Sequence, residues 1–139
     1  MANNKSSQQK KHIKENLINH FQSKPEIIAV YLFGSLTGDN FSDNSDIDVA
    51  LMLKDNENLP AFDYRLQVMT ELEDILQRDV DVIIFSRADL RLQHQILKGE
   101  LLIGHNSKER VRRETQSRQE YLDMRYFFDI YEEKLGKGL

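Results

Sequence analysis

The spacing of apolar residues changes period along the chain. Ile13, Leu17 or Ile18, and Phe21 recur at helical intervals and predict a helix from Gln9 to about Ser23. Residues 1–8 are polar and are expected to be loose. Pro25 disfavours helical backbone in the residue before it and stops the helix. "EIIAVYLF" (26–33) is β-branched and aromatic, and reads as a buried strand. Gly34-Ser35 breaks that strand. "LTGDNFSDNS" (36–45) then crowds together the residue types that favour turns. "DIDVALML" (46–53) reads as a second strand, and "KDNENLP" (54–60) as a loop.

Residues 61–77 form an amphipathic pattern in which Phe62, Leu66, Met69, Leu72 and Leu76 share one helical face. "DVDVIIF" (79–85) predicts a third strand. Ser86 is the expected cap of a helix that Gly99 ends, and "ELLIG" (100–104) is a short edge strand. A long charged helix runs from about Ser107 to Leu135. Its apolar residues come late (Tyr121, Leu122, Tyr126, Phe127, Ile130), so its first half should be solvated and its second half packed. The aromatics there are too widely spread for one face, which leaves some to meet a partner. The order is helix, strand, strand, helix, strand, helix and helical tail: a small α/β or α+β unit over residues 9–135.

The chain has 139 residues, of which 40% are apolar, enough for one core. Its formal net charge is −4 with dispersed Lys and Arg, which argues against strong binding to a nucleic-acid backbone. A mononucleotide remains compatible with that charge. With no cysteine, disulfides and thiolate metal sites are excluded. The N-terminus has no apolar segment of signal-peptide length, and no run approaches membrane-spanning length; a cytoplasmic protein is expected.

Two acids open the second strand. Alternation puts Asp46 and Asp48 on one face, with Ile47 and Val49 on the other. Adjacent carboxylates repel, and burying them unpaired is costly, unless a divalent cation lies between them. Mg²⁺ suits carboxylate oxygens and leaves positions for substrate phosphates. Asp81 joins the pair if the second and third strands are neighbours; Asp79 is nearer its strand end and is expected to be solvated. Gly34 lets a phosphate approach the backbone, and the Ser35 hydroxyl can donate to it. Lys54, Arg78, Arg87, Arg91 and Lys98 are candidate triphosphate ligands, with Arg87 and Arg91 preferred. The four histidines show no metal-ligand spacing.

Gly34-Ser35, ten residues, then Asp46-x-Asp48, with Asp81 in a later strand, resembles the signature of the DNA polymerase β-like nucleotidyltransferase superfamily. Among its members the short chain is similar to the minimal nucleotidyltransferase (MNT) antitoxins of HEPT–MNT toxin–antitoxin pairs. "SRADLRLQHQILKGELLIG" and "EYLDMRYF" share that likeness, which covers roughly residues 10–130. The resemblance implies a small mixed sheet flanked by helices with a C-terminal helix. It implies that Asp46, Asp48 and Asp81 hold Mg²⁺, two ions by the family pattern, and act in catalysis. It also implies that Gly34, Ser35, Arg87 and Arg91 bind ATP, and that AMP passes to a tyrosine hydroxyl of a cognate HEPT toxin. Two alternatives stand beside it: a non-catalytic antitoxin that masks the toxin by binding, and a transferase acting on a small molecule such as an aminoglycoside.

Overall fold

The computed structural model describes residues 2–39, 41–54 and 60–137. The elements are α1 (Ala2–Phe21), β1 (Ile27–Phe33), a 3-10 turn (Gly34–Thr37), β2 (Ile47–Leu53), α2 (Ala61–Leu76), β3 (Val80–Ile84), a second 3-10 turn (Phe85–Arg87), α3 (Leu90–Lys98), β4 (Glu100–Gly104) and α4 (Ser107–Lys137). Of the expected loop at 54–60, residues 55–59 lie outside the described residues.

The strands form one mixed sheet in the order β3-β2-β1-β4. β1 runs antiparallel to β2 and to β4, whereas β2 and β3 are parallel. A parallel pair needs a crossover, and α2 supplies it. The central strands are covered on both faces, which is why β1 and β2 are nearly continuous apolar runs. On one face Val30, Leu32, Val49, Leu51 and Val82 meet Ile13, Leu17 and Phe21 of α1 and Val68 and Leu72 of α2. On the other, Tyr31, Ala50 and Met52 meet Phe85 and Ile96.

Helix α1 starts at Ala2, ahead of the Gln9 expected from apolar spacing. Polar bonds rather than apolar burial join its early residues to the rest: Gln9 donates to Asp43 at 2.5 Å and Lys5 lies 3.8 Å from Asp43. The face assigned to α2 is also corrected. Phe62 and Leu66 are 66% and 43% exposed, and Val68 and Leu72 carry the burial, with Tyr64, Met69 and Leu76 packed beside them. A helix with apolar residues on more than one flank offers two seats, and the crossover geometry selected this one. Ser86 is not a cap; it sits in the second 3-10 turn, and Asp89 caps α3 by accepting from the Leu92 N–H at 2.8 Å.

The expectation for α4 is reversed. Its polar first half packs, and its aromatic second half is open: Leu122, Tyr126, Phe127 and Tyr131 are 60–71% exposed. The first half is accepted into the interior because its two buried polar side chains, Glu114 and Ser117, are paired. Glu114 is buried and accepts from the Tyr31 hydroxyl at 2.8 Å and from Arg110 at 2.9 Å. Burial and the Glu114 carboxylate push the Tyr31 phenol far above its usual range, so it remains a donor. Ser117 donates to Gln93 at 2.6 Å. Among the described residues no helix is long and apolar enough to cross a membrane.

Glu114→Ala removes the acceptor of both a buried phenol and a partly buried guanidinium. It should cost about 2 kcal/mol of folding stability, read as a lowered urea midpoint at unchanged slope.

Candidate active site

Asp48 of β2 and Asp81 of β3 are partners in the parallel ladder, so their side chains leave the sheet side by side. By alternation they share the face of Ala50 and Met52, beneath α3. Asp46 is the residue before β2 and is exposed; Asp48 is partly buried. Burial, then the charge of Asp81, then that of Asp46, push the Asp48 carboxyl above its usual range. Asp79 lies just before β3 and is exposed, as expected.

Gly34 ends β1 opposite Asp48, since its neighbour Phe33 is the ladder partner of Asp48. Its backbone has a φ of +73°, and a Cβ there would lie 2.3 Å from Asp48 Oδ2. Glycine is therefore required twice, by conformation and by space. Ser35 Oγ donates to the Asp46 carbonyl at 3.3 Å, which ties the Gly-Ser turn to the acids. The segment between them is held from outside. Lys10 of α1 donates to the Gly38 carbonyl at 2.6 Å, and Arg78 to the carbonyls of Ser42 and Ser45, both at 3.2 Å. Arg78 also lies over the Phe41 ring at 4.8 Å. Arg78 thus serves to hold the loop.

Arg65 is the site residue that sequence reasoning missed. It reaches from α2 around the free edge of β3. Its Nε donates to the outward-facing Val82 carbonyl, and Nη2 lies 3.1 Å from Asp81 Oδ1. An edge strand needs its unpaired carbonyls covered, and here the covering group also pairs with an acid of the cluster. Nothing in the sequence marks a residue on the crossover helix as a partner of Asp81. Arg87 and Arg91 are not brought to the acids by any contact: both follow the far end of β3, and Arg91 lies over the Phe128 ring at 5.3 Å.

Three carboxylates, one of them paired with Arg65, offer hard oxygen donors beside a close backbone glycine and fit a divalent cation in donor chemistry. Among the described residues, no three His, Cys, Asp or Glu side chains already converge closely enough to hold an ion. Asp81 is engaged by Arg65, so a cation and the guanidinium would compete for Oδ1.

A family model, "Polymerase beta, Nucleotidyltransferase", matches residues 15–108. No curated protein matches the chain. Among solved structures, a toxin–antitoxin crystal structure with AMP-PNP superposes with a TM-score of 0.71 at 22% identity, covering 88% of this chain and 97% of that one. The toxin–antitoxin MntA–HepT gives 0.66 at 21% identity over 90% and 97% of the two chains. A complex of a tri-AMPylated Shewanella oneidensis HEPN toxin with an MNT antitoxin gives 0.67 at 20%, over 91% and 98%. At these identities the likeness establishes the fold.

Because the Asp48 carboxyl is raised, the folded chain takes up a proton there before the unfolded chain does. Its charge therefore costs stability at neutral pH, and the cost fades as pH falls into the carboxylate range. In EDTA at pH 7, Asp48→Asn should stabilise by less than about 1 kcal/mol after solvent screening, and the gain should shrink towards pH 4 in thermal melts. Gly34→Ala should destabilise by at least about 1–2 kcal/mol from its backbone alone. Part of that loss should be recovered when Asp48 is also alanine, measurable as a double-mutant coupling.

Proposed function

We propose that this chain, which belongs to the Polymerase beta, Nucleotidyltransferase family, moves AMP from ATP onto a tyrosine hydroxyl of a HEPT toxin and so acts as that toxin's antitoxin. The observation that carries the reading is the in-register Asp48–Asp81 pair with Gly34 pressed against Asp48. It joins the carboxylates to a backbone turn whose conformation and space call for glycine. The AMP-PNP complex and the AMPylated toxin complex among the structural relatives support the choice of nucleotide and acceptor.

In this reading Asp46, Asp48 and Asp81 hold Mg²⁺. When bound, the ion supplies charge neutralisation at the phosphates and lowers the barrier to their displacement. The chain's own groups do the rest. The Gly34–Ser35 turn lets the triphosphate lie against backbone, and the loop clamps from α1 and Arg78 keep that turn in place. The attacking hydroxyl oxygen forms a bond to the α-phosphorus as the bond from that phosphorus to the α–β bridging oxygen breaks. The electron pair leaves with pyrophosphate. Asp81 accepts the hydroxyl proton on the carboxylate oxygen that Arg65 does not hold. Most of the acceleration comes from positioning and charge, as expected for phosphoryl chemistry. Arg87 and Arg91 are retained as nucleotide ligands only through their length, since they start from the far end of β3. The product adds charge and bulk at the modified tyrosine, which blocks a site that needs access.

A masking antitoxin without catalysis is favoured by one separate observation, the open aromatic half of α4. One experiment separates the two. Intact-mass spectrometry of a HEPT toxin incubated with this chain, ATP and Mg²⁺ should show added AMP. Asp48→Ala should lower the rate by roughly a hundredfold or more. Ser35→Ala should cost less, because it removes one phosphate donor and no metal ligand. A toxin that stays unmodified in a tight, neutralised complex selects masking instead.

A further inference from the structure

A cleft of about 190 Å³ lies between α3 and α4. Leu97 and Leu122 supply its apolar lining, and His94, Lys98, Arg118 and Tyr121 complete it. The His94 and Tyr121 rings stack with centroids 3.8 Å apart and planes 8° from parallel. None of these side chains belongs to the carboxylate site or to the nucleotide ligands assigned above. We propose that this cleft binds single-stranded nucleic acid, with one base against the ring pair and the phosphates on the cations around it.

The cations here lack the partners that others in the same helix have. Acids outnumber bases in the chain by 23 to 19, and Arg110, Arg112 and Arg113 each pair with a carboxylate. Lys98, Arg118 and Arg125 have no ion-pair partner among the described residues. All three act on the same imidazole. Burial, then Lys98, Arg125 and Arg118, push His94 below its ordinary range, and no acid offsets them. Like charges gathered in this way repel, and an anion relieves the repulsion. The three are dispersed along the sequence, and only the packing of α3 on α4 brings them together.

Spacing and surface together select the occupant. Arg118 and Arg125 are seven residues apart on one helix, so their backbones are separated by about 10 Å along its axis. That interval suits a chain of phosphates better than a single one. The ring pair and the two leucines add a surface on which a base can lie, and stacking on aromatic rings is the sequence-tolerant contact that single strands use. A duplex keeps its bases stacked and cannot offer one to the cleft. An acidic peptide matches the charge and leaves the rings without a planar partner. With a net charge of −4 the chain as a whole repels a polyanion, so binding through this one patch is weak and salt-dependent.

The test uses the full chain in EDTA, so that no metal-held nucleotide contributes. Fluorescence anisotropy of a labelled oligoadenylate of about eight nucleotides should show binding. Its affinity should fall with KCl at a log–log slope of about −2, the value for three phosphate contacts on a single strand. Arg118→Glu and Arg125→Glu should each weaken it by about tenfold, and both positions are exposed, so the variants keep their fold. Lys108→Glu makes the same change of charge at the other end of α4, and should alter the affinity by less than about twofold. The His94 ring resonances should move when the oligomer is added, which places it in the cleft. The proposal is overturned if Lys108→Glu weakens binding as much as Arg118→Glu, since net charge alone would then account for it. It is also overturned if AMP, a duplex of the same strand or a polyglutamate peptide binds as tightly as the oligomer, or if nothing binds in about 20 mM KCl. AMP transfer plays no part in this measurement, so a failure of that reading leaves the cleft's assignment standing, and the reverse.

Discussion

Two carboxylates face each other across the β2–β3 ladder, and the surrounding structure is arranged around their repulsion. The register that pairs Asp48 with Asp81 is enforced by the apolar side chains between them: Val49 and Val82 are both fully buried on the opposite face. Slipping by one residue would turn those side chains outward. The core therefore pays for the juxtaposition of the acids. Carboxylates held together against their repulsion in this way are a mark of functional sites.

The second element of the site is held less by packing than by borrowed bonds. The sequence from Gly38 to Ser45 has little apolar content apart from Phe41. Lys10 and Gln9 of α1 on one side, and Arg78 on the other, satisfy its carbonyls and its Asp43 carboxylate. These bonds are exposed or half-exposed and individually weak. Their role is to reduce the number of arrangements open to Ser35 and Asp46 before any ligand arrives. The same economy appears at Arg65, where one guanidinium covers a strand edge and engages an acid.

Helix α4 shows the limit of reading burial from hydrophobicity. Glu114 and Ser117 are interior because Tyr31, Arg110 and Gln93 meet them, whereas Phe127 at 71% exposure meets little. A buried polar group is tolerated when every bond it needs is supplied, and those partners lie on other elements. The helix is also longer than the body it packs against, so its last turns extend past the partners that would cover them.

What the sequence by itself determined is what depends on local chemistry and on period. The strands at 27–33, 47–53 and 80–84 follow from β-branched runs bounded by turn residues, and their ends fall within a residue of expectation. The helix of Ile13, Leu17 and Phe21 follows from spacing, and Gly34 from the need for a break beside an acidic strand. The alternation that sets Asp46 beside Asp48 is equally local. Tertiary structure alone decided which strand neighbours which, and so whether Asp81 joins the pair. It decided that α2 seats Val68 in preference to Phe62 and Leu66, that Arg65 crosses the sheet edge, and that the polar half of α4 is the packed half. Each of those depends on a partner far away in the chain. Periodicity describes the faces an element offers, and carries no information on which distant groups will meet them.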